Sequence, residues 1–189
     1  MKKIIILSLL CFNCLWCNPF TIKINMEEHQ RIHSEQLKVE KYNTLYTKSL
    51  EQLKEFEGLR LTRYIDCGGF SIGYGHHLKE GETYRTISER QADSLIVVDF
   101  EQSISDVEKL TGFKRTEYPE KVLALAHFTF NFGTGAFANS TLLKYIKCNK
   151  RIDSEIIKWV KAKSGDEVII LHHLQLRRSY ELNLYYGIS

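Results

Sequence analysis

The texture of apolar and polar positions changes several times along this chain. A basic pair, Lys2-Lys3, opens onto thirteen mainly apolar residues, 4–16, broken by Ser8 and Asn13. A membrane-spanning helix takes about 20 apolar residues. The run is shorter, so residues 1–17 read as a signal peptide. No A-x-A cleavage site follows, which keeps an uncleaved anchor over residues 4–16 as the alternative. Residues 18–48 are polar and mixed in charge, with sparse apolar positions such as Ile32, Leu37, Tyr42, Leu45 and Tyr46. They are expected to form a polar tether, partly helical. Residues 49–189 carry the patterns of a folded domain.

Within that domain most apolar positions recur at helical spacing. Ser49, with Gln52 three residues on, reads as a capping box for a helix that stops at Gly58. Ser88 and Gln91 repeat the signal. Ala92, Leu95, Ile96, Phe100, Ile104, Val107 and Leu110 then keep helical spacing to Gly112. Pro119 stands at a first helical position. The stretch after it, Glu120 to Phe130, is apolar nearly all round, as a central helix should be, and it ends at Asn131-Phe132-Gly133-Thr134-Gly135. Asn139-Ser140-Thr141 caps a short helix through Leu142, Leu143 and Ile146. Asp153 or Ser154 is expected to cap another, running through Trp159 to Gly165. A last helix carries Leu174, Arg177, Arg178, Glu181, Leu182 and Tyr185 and ends at Gly187. The exception is Leu61–Tyr74. Two short β-prone runs flank the turn Asp66-Cys67-Gly68-Gly69 and predict a hairpin. The fold class is therefore α+β, mainly α.

Charge and cysteines narrow the picture. Two of the three net positive charges are Lys2 and Lys3, so the remainder is near neutral and lacks the footprint of a nucleic-acid binder. Cys11, Cys14 and Cys17 lie in the signal-like segment and lack a metal-site partner set. Cys67 and Cys148 could pair only if the fold brings them within bonding distance. His29 and His33 share a helical spacing, but no third ligand is evident, so a solvated face is expected. His127, inside the apolar central helix, reads as a hydrogen-bonded core histidine.

The chemistry concentrates in Glu57–His76. Glu57 falls at a helix C-terminus. There the macrodipole disfavours a negative charge and partial burial strips solvation, both favouring the protonated, proton-donating form. Asp66 lies nine residues on, at the end of the first strand, and Ser71 begins the second. Paired carboxylates of this kind equip a glycoside hydrolase. One acid protonates the leaving oxygen, while the ionised partner works on the opposite face of the sugar ring.

The stretch E-G-L-R-L-T-R-Y-I-D-C-G-G-F-S-I-G-Y-G-H closely resembles the motif of the phage-type lysozyme family, the endolysins of glycoside hydrolase family 24. Later segments agree in order: Ile87–Asp99, F-N-F-G-T-G-A-F with Asn139–Leu143, Trp159, and Leu176-Arg177-Arg178 with Glu181. The resemblance covers roughly residues 49–187. It implies a two-lobed lysozyme-like fold, with a small β-hairpin lobe facing a helical C-terminal lobe across a glycan cleft. It implies hydrolysis of the β-1,4 bond between N-acetylmuramic acid and N-acetylglucosamine, in cell-wall catabolism and bacteriolysis. Peptidoglycan strands would be the partner, with no metal and no cofactor. The enzyme would be an exported monomer, in the periplasm or outside the cell, touching membrane only through its N-terminal segment.

Carried over residue by residue, Glu57 is the general acid and Asp66 positions the attacking water. Ser71 stands for a threonine that helps hold that water. Asn131 contacts glycan, and Arg177 (or Arg178) lies beside Glu57. His76, Gly73 and Gly75 are structural residues near the site. One departure stands out: Asp66 to Ser71 is one residue shorter than the family pattern. A slip inside a strand would turn its side chains to the other face, so the deletion must be absorbed in the turn. An oxidised Cys67 paired with an N-terminal cysteine would be a means of holding the site inactive. The rival readings are a non-catalytic peptidoglycan-binding descendant, and an enzyme acting as a chitinase or transglycosylase.

Overall fold

No glycine or proline interrupts the chain between Pro19 and Gly58, and helix α1 uses that whole interval, Pro19–Glu57. This corrects the expectation of a helix start at Ser49. The helix passes through Ser49, whose side chain is buried rather than capping. The computed structural model describes residues 19–66, 69–164 and 167–188, so the signal-like segment, its three cysteines and Cys67 lie outside the described residues. The chain divides into two units between Lys38 and Val39. In the first, every described side chain from Met26 onward is exposed. In the second, Tyr42, Leu45, Tyr46, Leu50 and Leu53 recur on one face of α1 and join the main core. Among the described residues no helix is long and apolar enough to cross a membrane.

The hairpin forms as expected. Strand β1 (Arg60–Asp66) pairs antiparallel with β2 (Gly69–Gly73), with Asp66 opposite Gly69 and Tyr64 opposite Ser71. A third strand, β3 (His76–His77), follows the two-residue turn Tyr74-Gly75 and pairs Ile72 with His76 and Ser71 with His77. Ile72 is fully buried and forms a small core with Ile87 and Ala92. This core pins the sheet to the start of helix α2 (Glu89–Thr111).

Helix α2 begins in the predicted capping box: Ser88 accepts from the Gln91 backbone, and the Gln91 side chain returns to the Ser88 N–H. Such a cap contributes about 1 kcal/mol. It ends at Gly112 in the left-handed conformation, where a side chain would be strained. Helix α3 (Pro119–Phe132) starts on its proline and buries Val122 through Thr129 without a break. Two short helices follow, α4 (Thr134–Ala138) and α5 (Thr141–Lys147), the latter capped by Ser140. A second correction comes next. The helix expected to run from Asp153 to Gly165 stops after one turn, α6 (Asp153–Ile156). A hairpin takes over, with β4 (Lys161–Ser164) antiparallel to β5 (Glu167–Ile170). Helix α7 (His172–Tyr186) closes the fold and ends on Gly187, as predicted. The main core gathers Leu53 of α1, Phe100 and Ile104 of α2, Leu123, Leu125 and Phe128 of α3, Phe137, Leu142 and Ile152, all fully buried. The described residues are thus mostly helical, with a small three-stranded antiparallel sheet and a two-stranded hairpin.

Candidate active site

Glu57 is the last residue of α1, and Gly58 follows with φ 68°, a left-handed step that turns the chain into β1. Burial on both sides fixes this last turn. Leu53 is in the main core, and Lys54 Nζ lies 2.5 Å from Asp93 Oδ1 of α2. The Glu57 carboxylate is clasped from two directions. The Arg177 guanidinium of α7 donates to Oε1. On the other side, a Cβ placed on Gly75 would lie 3.6 Å from Oε2, so the β2–β3 turn backs onto the carboxylate. Arg177 is 7% exposed at its side chain and Glu57 19%. The pair is therefore shielded while the acid keeps an open side. The Arg177 guanidinium also lies 5.1 Å from the ring of Phe56. Of the two arginines, Arg177 is the one at Glu57.

Arg178 points the other way and is 1% exposed. It pairs with Glu181, donates to the Trp159 carbonyl at 3.2 Å, and donates to Asn131 Oδ1 at 3.2 Å. The Phe128 and Phe132 rings flank its guanidinium. Burial pushes the Glu181 carboxyl up to about 7, against the pull of Arg178. Asn131 is thereby held at the C-terminal end of α3 with its carbonyl committed.

His127 fills the space between these arginines and α1. It is fully enclosed by the rings of Phe56, Phe100 and Tyr180. Burial pushes its pKa down to about 3, helped by Arg177, while a hydrogen bond to the Ser49 backbone opposes. The imidazole is therefore a neutral packing piece that couples α1, α3 and α7, with its Nε2 buried and without a hydrogen-bond partner among the described residues.

On the sheet, side chains two apart share a face, as do directly paired residues. Asp66, Tyr64, Ser71 and His77 therefore stand on one face. Asp66 is exposed; Ser71 is 1% exposed. Burial raises the Tyr64 phenol, and the charges of Asp66 and Glu57 add to that, while Arg60 and the Ser71 hydroxyl oppose. Gly73 has φ 67° and packs against Ala92 and Ile87. His76 is buried, its Nδ1 2.6 Å from Asp99 Oδ2 and its Nε2 3.1 Å from Glu82 Oε2. It ties β3 to α2 and to the following loop.

Two residues on this face went unassigned in the sequence reading. Tyr64 was present only as a letter of the motif, and His77 carried no signal of its own. Only the register of three strands brings them beside Asp66 and Ser71. Among the described residues there is no cluster of His, Cys, Asp and Glu suited to a metal ion. Cys148 is exposed, and Cys67 lies outside the described residues.

Comparison with known proteins bears on the family and the fold. The family model described as "Phage lysozyme" matches residues 54–181. The endolysin of Bacillus phage B103 is 33% identical over 138 residues, covering 70% of this chain and 50% of that one. The endolysin of Acyrthosiphon pisum secondary endosymbiont phage 1 is 31% identical over 145 residues, covering 73% of this chain and 94% of that one. The chain thus spans half of the first relative and nearly all of the second. Among solved structures, the muramidase domain of SpmX from Asticaccaulis excentricus superposes with a TM-score of 0.64. It is 27% identical and covers 73% of this chain and 94% of that one.

Proposed function

The chain belongs to the phage lysozyme family, and from that premise we propose that it is a lysozyme, an N-acetylmuramoylhydrolase of peptidoglycan. The observation that carries the reading is the clasped Glu57. Its carboxylate is held between Arg177 and the Gly75 turn at the end of a helix, while Asp66 stands exposed on the sheet beyond Tyr64.

Each group then has a role. Glu57 gives its proton to the glycosidic oxygen as the C1–O bond breaks. A water on the opposite face of the sugar bonds to C1 and releases its proton to Asp66. Ser71 accepts a second hydrogen bond from that water. Arg177 holds the Glu57 carboxyl in place. Asn131, its carbonyl taken by Arg178, offers its amide N–H to the glycan. Gly73 and Gly75 shape the turns, and His76 anchors the sheet. The group set calls for no metal and no cofactor. The substrate lies outside the cytoplasmic membrane, so export through the signal-like residues 1–17 fits this role.

The test uses purified peptidoglycan and product analysis by mass. Hydrolysis yields fragments ending in reducing N-acetylmuramic acid. Anhydro ends would mean a transglycosylase. Cleavage of chitin but not peptidoglycan would mean a chitinase, and binding without fragments a non-catalytic wall module.

A further inference from the structure

The face that carries Asp66 and Ser71 carries a fourth polar group, His77, with a seat made for it. Its ring lies over Gly69: a Cβ added there would come within 2.4 Å of Cε1 and 2.7 Å of Nε2. Real atoms do not approach so closely, so the ring occupies the space that a side chain at position 69 would need. Gly69 is the direct partner of Asp66, and His77 the direct partner of Ser71. His77 Nδ1 lies 3.5 Å from Ser71 Oγ, at the outer edge of hydrogen-bond range. Such contacts are commonly long before substrate binds and tighten in the complex.

We propose that His77 is a positioning residue for the attacking water and acts through Ser71. This rests on the hydrolase reading above and adds a residue to it. A serine hydroxyl is a single donor on a free rotor. If it turns its hydrogen to the water, it ties up one of the two lone pairs on the water oxygen and makes that oxygen a poorer nucleophile towards C1. With Nδ1 of a neutral imidazole as acceptor, the Ser71 hydrogen points at His77 instead. Ser71 Oγ then receives one hydrogen from the water and Asp66 receives the other, leaving both lone pairs of the water free and the oxygen more nucleophilic towards C1. His77 gains and loses no proton in the step; the water proton still ends on Asp66.

The experiment measures kcat and KM on soluble glycan fragments for wild type, His77→Leu, His77→Asn, Ser71→Ala and the double variant Ser71→Ala/His77→Leu, with melting temperatures for each. An asparagine carbonyl can reach the position of Nδ1, whereas leucine offers no acceptor. His77→Leu should lower kcat roughly tenfold, the effect of about one net hydrogen bond, with KM unchanged. His77→Asn should recover to within about threefold of wild type. In the Ser71→Ala background, His77→Leu should change nothing further. The inference is overturned if leucine and asparagine behave alike, or if the loss persists without Ser71. It is also overturned if only KM moves, which would make His77 a glycan contact in the hollow it shares with Lys79, Thr129 and Thr134. A wild type without turnover overturns the hydrolase reading, whereas an active wild type insensitive to His77→Leu overturns this inference alone.

Discussion

His127 gives the fold an acid-sensitive core, and the size of the effect follows from its environment. The imidazole has an ordinary value of 6.5 and is pushed to about 3 by complete burial and the nearby Arg177. Between those limits the unfolded chain takes up a proton that the native chain refuses. Stability from this group is therefore full above pH 6.5 and is lost as pH falls toward 3. At pH 5 the loss amounts to about 2 kcal/mol; at pH 7.5 it is close to zero. Urea unfolding of wild type and His127→Gln at the two pH values isolates the effect, because every other titrating group is common to both chains. At pH 7.5 the variant should be the less stable, having lost ring contacts with Phe56, Phe100 and Tyr180. On going to pH 5 that gap should close by about 2 kcal/mol. A gap that stays constant would show that His127 is not a neutral, enclosed group, and the packing described for α1, α3 and α7 would be wrong.

Other perturbations probe neighbouring parts of the site. Glu181→Ala leaves the Arg178 guanidinium buried without its partner and should cost about 3–5 kcal/mol in chemical unfolding. Against Glu181→Gln, the opposite pH sign should appear. The native carboxyl is held up to about 7 by burial, so wild type should gain on the glutamine variant as pH falls from 7.5 to 5. Gly73→Ala puts a side chain at φ 67°, with its Cβ 3.3 Å from Ala92 Cβ. It should cost about 1–2 kcal/mol, seen as a melting temperature lower by roughly 2–8 °C.

Where a local signal has a local cause, the sequence was a good guide. The Ser88–Gln91 box, Pro119 and the Asn139–Thr141 cap each start a helix where expected, and glycines 112 and 187 each end one, because caps depend on neighbours within a turn. Ser49 shows the limit of that logic. A serine followed by glutamine three residues later reads as a cap, yet the chain before it contains no breaker. The hydroxyl instead sits 3.4 Å from the Tyr180 hydroxyl of α7, a contact 131 residues away. Lys161–Ile170 failed for a related reason. Four-residue strands are too short to show alternation, and Gly165 reads equally as a helix stop or a hairpin turn. In the site, the motif marked Glu57, Asp66 and Ser71 but could not choose between adjacent Arg177 and Arg178. One residue along α7 is about 100° around its axis. Only the packing sends Arg177 to Glu57 and Arg178 to Glu181 and Asn131. Tyr64 and His77 were illegible because their importance lies in strand register.

The central claim is that Glu57 is the acid that breaks the glycosidic bond. Glu57→Gln keeps the shape and can still accept from Arg177, but has no acidic proton to give. Measured by release of reducing ends from peptidoglycan, at matched melting temperature, its rate should fall at least 100-fold below wild type. Turnover within a few-fold of wild type would contradict the account.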